Sequence, residues 1–307
     1  MSFSNTSIRT IIVPAAGKGT RMLPATRVTA KELLPVYDLP VIAFAIDEAI
    51  DAGAERIIVV MNEAKAAIRE FLGDTAVASN QRAGRTRGTG SSPEIIYVAQ
   101  EEALGLGHAI LCCKGLALPG PFGVILPDDV IMGRSCLSEM ARNYQAGHMI
   151  AAMNVPQQDT DKYGIFSLRG SATDVCIPVT GIVEKPPEGQ APSSLAAVGR
   201  YLLLPMIFDV LGHTANGAGG ELQLTDAIEV ATRSVPLTAF QFSGTRFDCG
   251  SHDGLLAASN ARQATVRAGR INPTLSIARP LPRPERNGKI HSADRPGLFC
   301  EPARHTS

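Results

Sequence analysis

Four basic residues, Lys18, Arg21, Arg27 and Lys31, are packed into VPAAGKGTRMLPATRVTAKELLP (Val13–Pro35), which begins where an apolar run stops. Glycines let backbone N–H groups approach an anion with no Cβ in the way. Arg21 adds a planar fork for phosphate oxygens and Lys31 a point charge. The stretch reads as a phosphate-binding loop, yet it is not either of two familiar ones. Gly17-Lys18-Gly19 lacks the upstream glycine and the terminal Ser/Thr pairing of a Walker A loop, and Met22 breaks the dinucleotide fingerprint.

Acids follow further on. In LPDDV (126–130), Asp128 and Asp129 come directly after the apolar run FGVIL, and RFDCGS offers Asp248 after another. A carboxylate pair at a turn is often a solvated cap. Beside a triphosphate, such a carboxylate is the expected partner of Mg²⁺, which takes one or two protein carboxylates plus phosphate oxygens. In GIVEKP, Glu184 and Lys185 would point to opposite faces of a strand and could meet one ligand only if the strand ends there, as Pro186 suggests. On local grounds a surface ion pair is the better account of them.

These residues need a frame. Arg9–Val13, Arg56–Met61, Glu94–Ala99, Phe122–Leu126 and Met149–Val155 read as strands, and Val41–Ala52, Lys65–Leu72, Gly105–Leu116 and Cys136–Gln145 as helices between them. Such alternation predicts an α/β fold, a mainly parallel sheet covered on both faces, with ligands at the carboxyl ends of the strands. In the second half YGIFSL, VCIPVTGIVEKP, AAVGRYLLLP and PLTAFQF read as strands, and LTDAIEVATRS and HDGLLAASNARQATVRAG as helices. This half is expected to extend the sheet and close over the site. A catalytic domain over 1–270 and a Pro/Arg-rich, disordered tail over 271–307 are expected.

The 307 residues are 45% hydrophobic and 19% charged with zero formal net charge, so nothing global steers the chain to nucleic acid or acidic membranes. The arginines of 74–93 and of the tail have no interleaved aromatics for stacking and read as solvated linker. Six histidines form no HExxH, which leaves a zinc hydrolase without support, and six cysteines form no CxxC and read as reduced thiols. No apolar run approaches the ~20 residues of a bilayer span, and the polar N-terminus is no signal peptide, so a cytoplasmic protein is expected.

The order of the motifs says more than any single one. AAGKGTRMLPAT, AKELLPV, QEEALGLGHA, LPDD, YGI, VEKP, APSSLAAVGRYLLLPMIFD, GGELQLTDAI and RFDCGS run from about Ile11 to Gln263. Together they strongly resemble the bacterial-type UTP–glucose-1-phosphate uridylyltransferases, which have a Rossmann-like nucleotide-diphospho-sugar transferase fold. The resemblance implies that Ala15, Ala16, Gly17, Gly19 and Thr20 bind the nucleotide, and that Gln100 and Gly105 read the uracil edge. It implies that Arg21 and Lys31 clamp the triphosphate and that Lys185 holds the sugar phosphate. Asp129, Gly164 and Glu184 would hold glucose hydroxyls, and Asp128 and Asp248 a Mg²⁺ ion. The implied partners are UTP, glucose 1-phosphate and further copies of the chain, as a dimer or tetramer.

The chain departs from the family pattern at Ala30, where a proline usually precedes the Lys-Glu pair, at Arg27 and His252, which replace lysines, and in residues 74–93, which lack acidic, leucine-bearing helices. Two other readings share much of the pattern: a thymidylyltransferase using the same sugar phosphate, and a non-catalytic paralogue that binds sugar nucleotides.

Overall fold

Strands β1 (Thr10–Pro14) and β4 (Arg56–Met61) are apolar on both faces, and the alternation of a strand sends successive residues into different cores. Ile12, Ile58 and Val60 join one buried cluster, whereas Ile11, Val13, Ile57 and Val59 join another. These strands therefore lie in the middle of a sheet with helices on both sides. The computed structural model describes residues 7–73, 93–169, 174–217 and 220–269. The predicted tail over 271–307, nearly all of the 74–93 segment and Cys300 lie outside these residues.

The remaining strands are β2 (Pro35–Val36), β3 (Leu39–Pro40), β5 (Glu94–Ala99), β6 (Phe122–Ile125), β7 (Asp129–Met132), β8 (His148–Asn154), β9 (Gly164–Leu168), β10 (Cys176–Glu184), β11 (Leu195–Leu203), β12 (Leu237–Gln241) and β13 (Thr245–Asp248). The helices are α1 (Val41–Asp51), α2 (Ala66–Leu72), α3 (Leu106–Leu111), α4 (Cys136–Asn143), α5 (Ile207–His213), α6 (Leu224–Ala231) and α7 (His252–Arg267). Nine strands form one sheet in the order β5-β4-β1-β6-β11-β8-β12-β10-β9. By their pairings β10 and β11 run against the other seven, so the sheet is mixed and mainly of one direction, as expected. Helices α1, α2 and α4 cover one face, and α3, α5 and α6 the other.

Two features set up the site. Strand β11 pairs with β6 through Arg200–Leu203, and Ala196 pairs with Ile165 of β9 beyond the end of β6. Over the same stretch the register of β11 with β8, on its other edge, shifts between Ala197 and Tyr201. The sheet thus leaves a gap off the carboxyl end of β6 and curls β9 around it. The small sheet β7–β13 and the β2–β3 hairpin pack with α7 over a separate apolar cluster around Val130 and Cys249.

Some expectations need correcting. The predicted Gly105–Leu116 helix stops at Leu111, because the next amides (Cys113, Lys114, Leu116) bond three residues back and the chain turns through Gly115. The Asp128–Asp129 turn runs straight into a strand, β7. That strand, β13 and α5 were not anticipated; β7 and β13 pair only with each other, which no local pattern displays.

A buried histidine gives a stability prediction. His148, at the start of β8, is fully buried; Leu204 N donates to its Nδ1 at 3.2 Å, and Nε2 has no partner among the described residues. Burial lowers its pKa to about 4. The unfolded chain, with a pKa of about 6.5, binds the proton first, so stability falls as pH drops from 6.5 towards 4, by up to about 3 kcal/mol. Urea unfolding at pH 7.5 and 4.5 should show this loss, and His148→Asn, which keeps an acceptor for Leu204 N, should reduce it. Equal losses in both proteins would count against His148 as the cause.

Candidate active site

Seven of the fifteen predicted site residues meet around that gap. A cleft of about 310 Å³ is lined by Arg21, Asp128, Asp129, Gly164, Glu184 and Lys185, with Asp248 and Thr225 beside them and Ala197–Gly199 of β11 behind. Residues from seven separate stretches of sequence converge here, most of them at the start, end or break of a strand.

On one side sit two cation–carboxylate pairs. Lys31 Nζ lies 2.5 Å from Asp128 Oδ2, and Arg21 Nη1 lies 3.6 Å from Asp248 Oδ2. Burial works against charge on Lys31 and on Asp128, but their mutual attraction outweighs it: the lysine pKa is raised and the carboxyl pKa lowered. Both stay ionised at neutral pH. Asp248 ends β13 in register with Asp129 of β7, and Cys249 N donates to Asp128 O at 2.8 Å, which ties the two acidic turns together. Ser251 then caps α7, accepting from Gly254 N.

Gly250 keeps a cradle open between these groups. A Cβ there would come 3.0 Å from Asp248 Oδ1, 3.2 Å from Asp128 Oδ2 and 2.6 Å from Arg21 Nη2. Two carboxylates around an open point suit Mg²⁺, which keeps several waters and needs few protein ligands. Among the described residues no group of three or more His, Cys, Asp or Glu is placed to hold a metal. The two carboxylates fit a hard divalent ion that takes its other ligands from water or phosphate oxygens.

On the other side, β10 ends at Glu184 and Lys185 takes φ 43°, a left-handed conformation uncommon for a residue with a side chain, stabilised by Lys185 N donating to Tyr163 O at 3.0 Å. That break lets neighbouring residues face one cleft, as Pro186 suggested. Glu184 Oε2 accepts from Thr225 Oγ1 at 2.7 Å and would lie 3.3 Å from a Cβ at Gly164. Asp129 is more enclosed: Oδ2 accepts from Gly199 N at 2.8 Å, and Oδ1 accepts from Arg246, which also donates to Tyr163 Oη at 3.0 Å.

Other predicted residues lie beside the cleft without lining it. Gly17 is next to Lys31, whose Nζ would be 3.8 Å from a Cβ there; Ala15 and Ala16 are buried, and Gly19 caps the short turn holding Thr20 and Arg21. Gln100 follows β5 and donates to Gly105 O at 3.1 Å, with His108 Nδ1 3.0 Å away. A Cβ at Gly105 would sit 2.8 Å from Leu222 O, and Gly107 N donates to that oxygen. The GLGHA and GGELQL stretches are thus two halves of one contact. Ala30 has φ −57°, an angle proline also adopts, so the chain holds the shape of the usual proline before Lys31. His252 is exposed at the start of α7.

Sequence reasoning missed Lys65, Arg246, Glu48 and Arg200. For Glu48 and Arg200 a signal was available, a charge inside an apolar run; for Lys65 there was none.

The profile of the nucleotidyl transferase family matches residues 10–265. A UTP–glucose-1-phosphate uridylyltransferase of Pseudomonas aeruginosa is 37% identical over 82% of this chain and 95% of its own, and one of Bacillus subtilis is 37% identical over 81% and 89%. The chain belongs to the nucleotidyl transferase family, among its UTP–glucose-1-phosphate uridylyltransferases. A crystal structure of UDP-glucose pyrophosphorylase complexed with UDP-glucose superposes with a TM-score of 0.74 at 36% identity, covering 84% of this chain and 99% of that one. A putative glucose-1-phosphate thymidylyltransferase from Bacillus anthracis matches at 27% identity and a TM-score of 0.67, covering 82% and 94%. The resemblance read from the motifs therefore holds, as does the fold expected with it, and the uridylyltransferase reading is favoured over its two rivals. As a member of this nucleotidyl transferase family, the chain is an enzyme.

Proposed function

We propose that the chain converts UTP and α-D-glucose 1-phosphate into UDP-glucose and diphosphate. One observation carries the reading: a single cleft sets the cation–carboxylate cluster of Arg21, Lys31, Asp128 and Asp248 against the Glu184–Lys185 strand end. The first suits a triphosphate and the second a phosphorylated sugar.

In the reaction a phosphate oxygen of the sugar attacks the α-phosphorus of UTP, forming a P–O bond as the bond to diphosphate breaks. The nucleophile is already ionised, since a phosphate monoester has a second pKa of about 6. No base is required, and no histidine among the described residues lines the cleft. Arg21 and Lys31 clamp the triphosphate, and Lys185 holds the sugar phosphate. Glu184, oriented by Thr225, accepts from sugar hydroxyls, Gly164 leaves room beside it, and Asp129 contributes the lone pairs that Arg246 and Gly199 leave free. Ala15, Ala16, Gly17, Gly19 and Thr20 face the nucleotide, and Gln100 and Gly105 read uracil. Asp128 and Asp248 would hold Mg²⁺, which would supply Lewis-acid stabilisation of the negative charge on the phosphates. Catalysis is then positioning plus charge stabilisation.

No helix among the described residues is long and apolar enough to cross a membrane. We place the reaction in the cytoplasm, with the nucleotide pool it draws on, in a homo-oligomer of two or four copies, which the mass in solution would test.

The assay combines protein, UTP, glucose 1-phosphate and Mg²⁺ and reads diphosphate release, with dTTP in parallel. Release with UTP well above that with dTTP is expected. Faster release with dTTP would make it a thymidylyltransferase. No diphosphate, with tight UDP-glucose binding by calorimetry, would make it the non-catalytic paralogue.

A further inference from the structure

The reading above leaves Lys65 without a role, although burying a charge demands compensation. Its side chain is only 10% exposed, and Nζ donates to Ala15 O at 2.7 Å, Gly17 O at 2.6 Å and Glu32 Oε2 at 2.8 Å. An ammonium has three protons, so none remains for a ligand. Two of the three hold carbonyls of the glycine loop itself. In a planar trans peptide the C=O of one residue and the N–H of the next point in opposite directions. Drawing the Ala15 and Gly17 carbonyls inward therefore turns the amides of Ala16 and Lys18 away from Lys65. Neither amide donates to a backbone carbonyl among the described residues.

We infer that Lys65 is a positioning residue, an internal cation that aims the Ala16 and Lys18 amides at the phosphates of the bound nucleotide. Without it, the same loop could present carbonyl oxygens to an anion. Glu32, fully buried, balances the ammonium and follows Lys31 directly, so one ion pair fixes both the loop and the turn that carries Lys31. The ligand assigned to these amides rests on the uridylyltransferase reading.

Lys65→Met alone would leave Glu32 buried without a partner and could fail to fold, so the test pairs Lys65→Met with Glu32→Gln. Folding is checked by cooperative thermal unfolding, UTP affinity by calorimetry, and the KM for glucose 1-phosphate by diphosphate release. The double variant is expected to bind UTP at least tenfold more weakly while the sugar-phosphate KM stays within twofold. A merely structural role would move both or neither. Lys65→Arg, measured alongside and decisive if the double variant does not fold, keeps the charge but spreads its donors over a fork. It should weaken UTP binding by fivefold or more. UTP affinity within twofold of wild type in a folded variant would overturn the role of Lys65. A wild-type chain that binds no UTP would overturn the uridylyltransferase reading and the ligand given to these amides, and is seen before any substitution is made.

Discussion

Asp128→Asn lowers kcat by 10²-fold or more, about 3 kcal/mol of transition-state stabilisation. The asparagine would keep the shape of the turn and can still accept from Lys31, so the loss isolates the charge. Asp128 sits where several terms meet. It pairs with Lys31 at 2.5 Å, bounds the cradle at Gly250, and is tied to β13 through Cys249 N. UTP binding without metal should survive, because the remaining cations face the triphosphate with less competing negative charge. Lys31→Ala is expected to cost a similar factor. Because the two side chains touch, the double variant should lose less than the sum of the single losses. The measurement is kcat over a Mg²⁺ series with calorimetry of UTP alone; a wild-type rate and metal dependence in Asp128→Asn would show that this carboxylate holds no metal.

Arg200→Met destabilises the fold by about 3–5 kcal/mol, because it strands Glu48 as an unpaired buried charge. Arg200 and Glu48 are 1% and 6% exposed at the side chain, and Arg200 Nη2 donates to Glu48 Oε2 at 2.7 Å. Arg200 Nη1 also donates to Asp129 O at 2.5 Å and Leu126 O at 3.2 Å, so the pair reaches the backbone of the acidic turn from behind. The melting temperature should fall by roughly 10 °C, taking about 2–4 °C per kcal/mol for a chain of this size. Adding Glu48→Leu should recover much of that loss, since it removes the stranded charge, yet leave the two carbonyls without their donor. Thermal unfolding of the three proteins decides it. A drop of only a degree or two in Arg200→Met would mean that water or another cation satisfies Glu48.

The sequence alone carried the sheet's apolar strands, the loop of Val13–Pro35, the acids after FGVIL and within RFDCG, and the family. It could do so because burial imposes a local period and because ligand-binding turns demand particular residue types at short spacing. The strand end at Glu184 was legible for the same reason, from a neighbouring proline. The tertiary structure alone decided who meets whom. Lys31 finds Asp128 across 97 positions, Glu48 finds Arg200 across 152, and Lys65 finds the carbonyls of Ala15 and Gly17 across about fifty. A charge carries no record of its partner in its own neighbourhood. A backbone carbonyl leaves no side-chain signature at all, so a lysine that holds two of them is invisible until the chain is folded. The gap in which the site forms has the same origin. It forms where β11 passes from β6 to β9 on one edge while its register with β8 on the other edge shifts, and register is a property of paired strands rather than of either one.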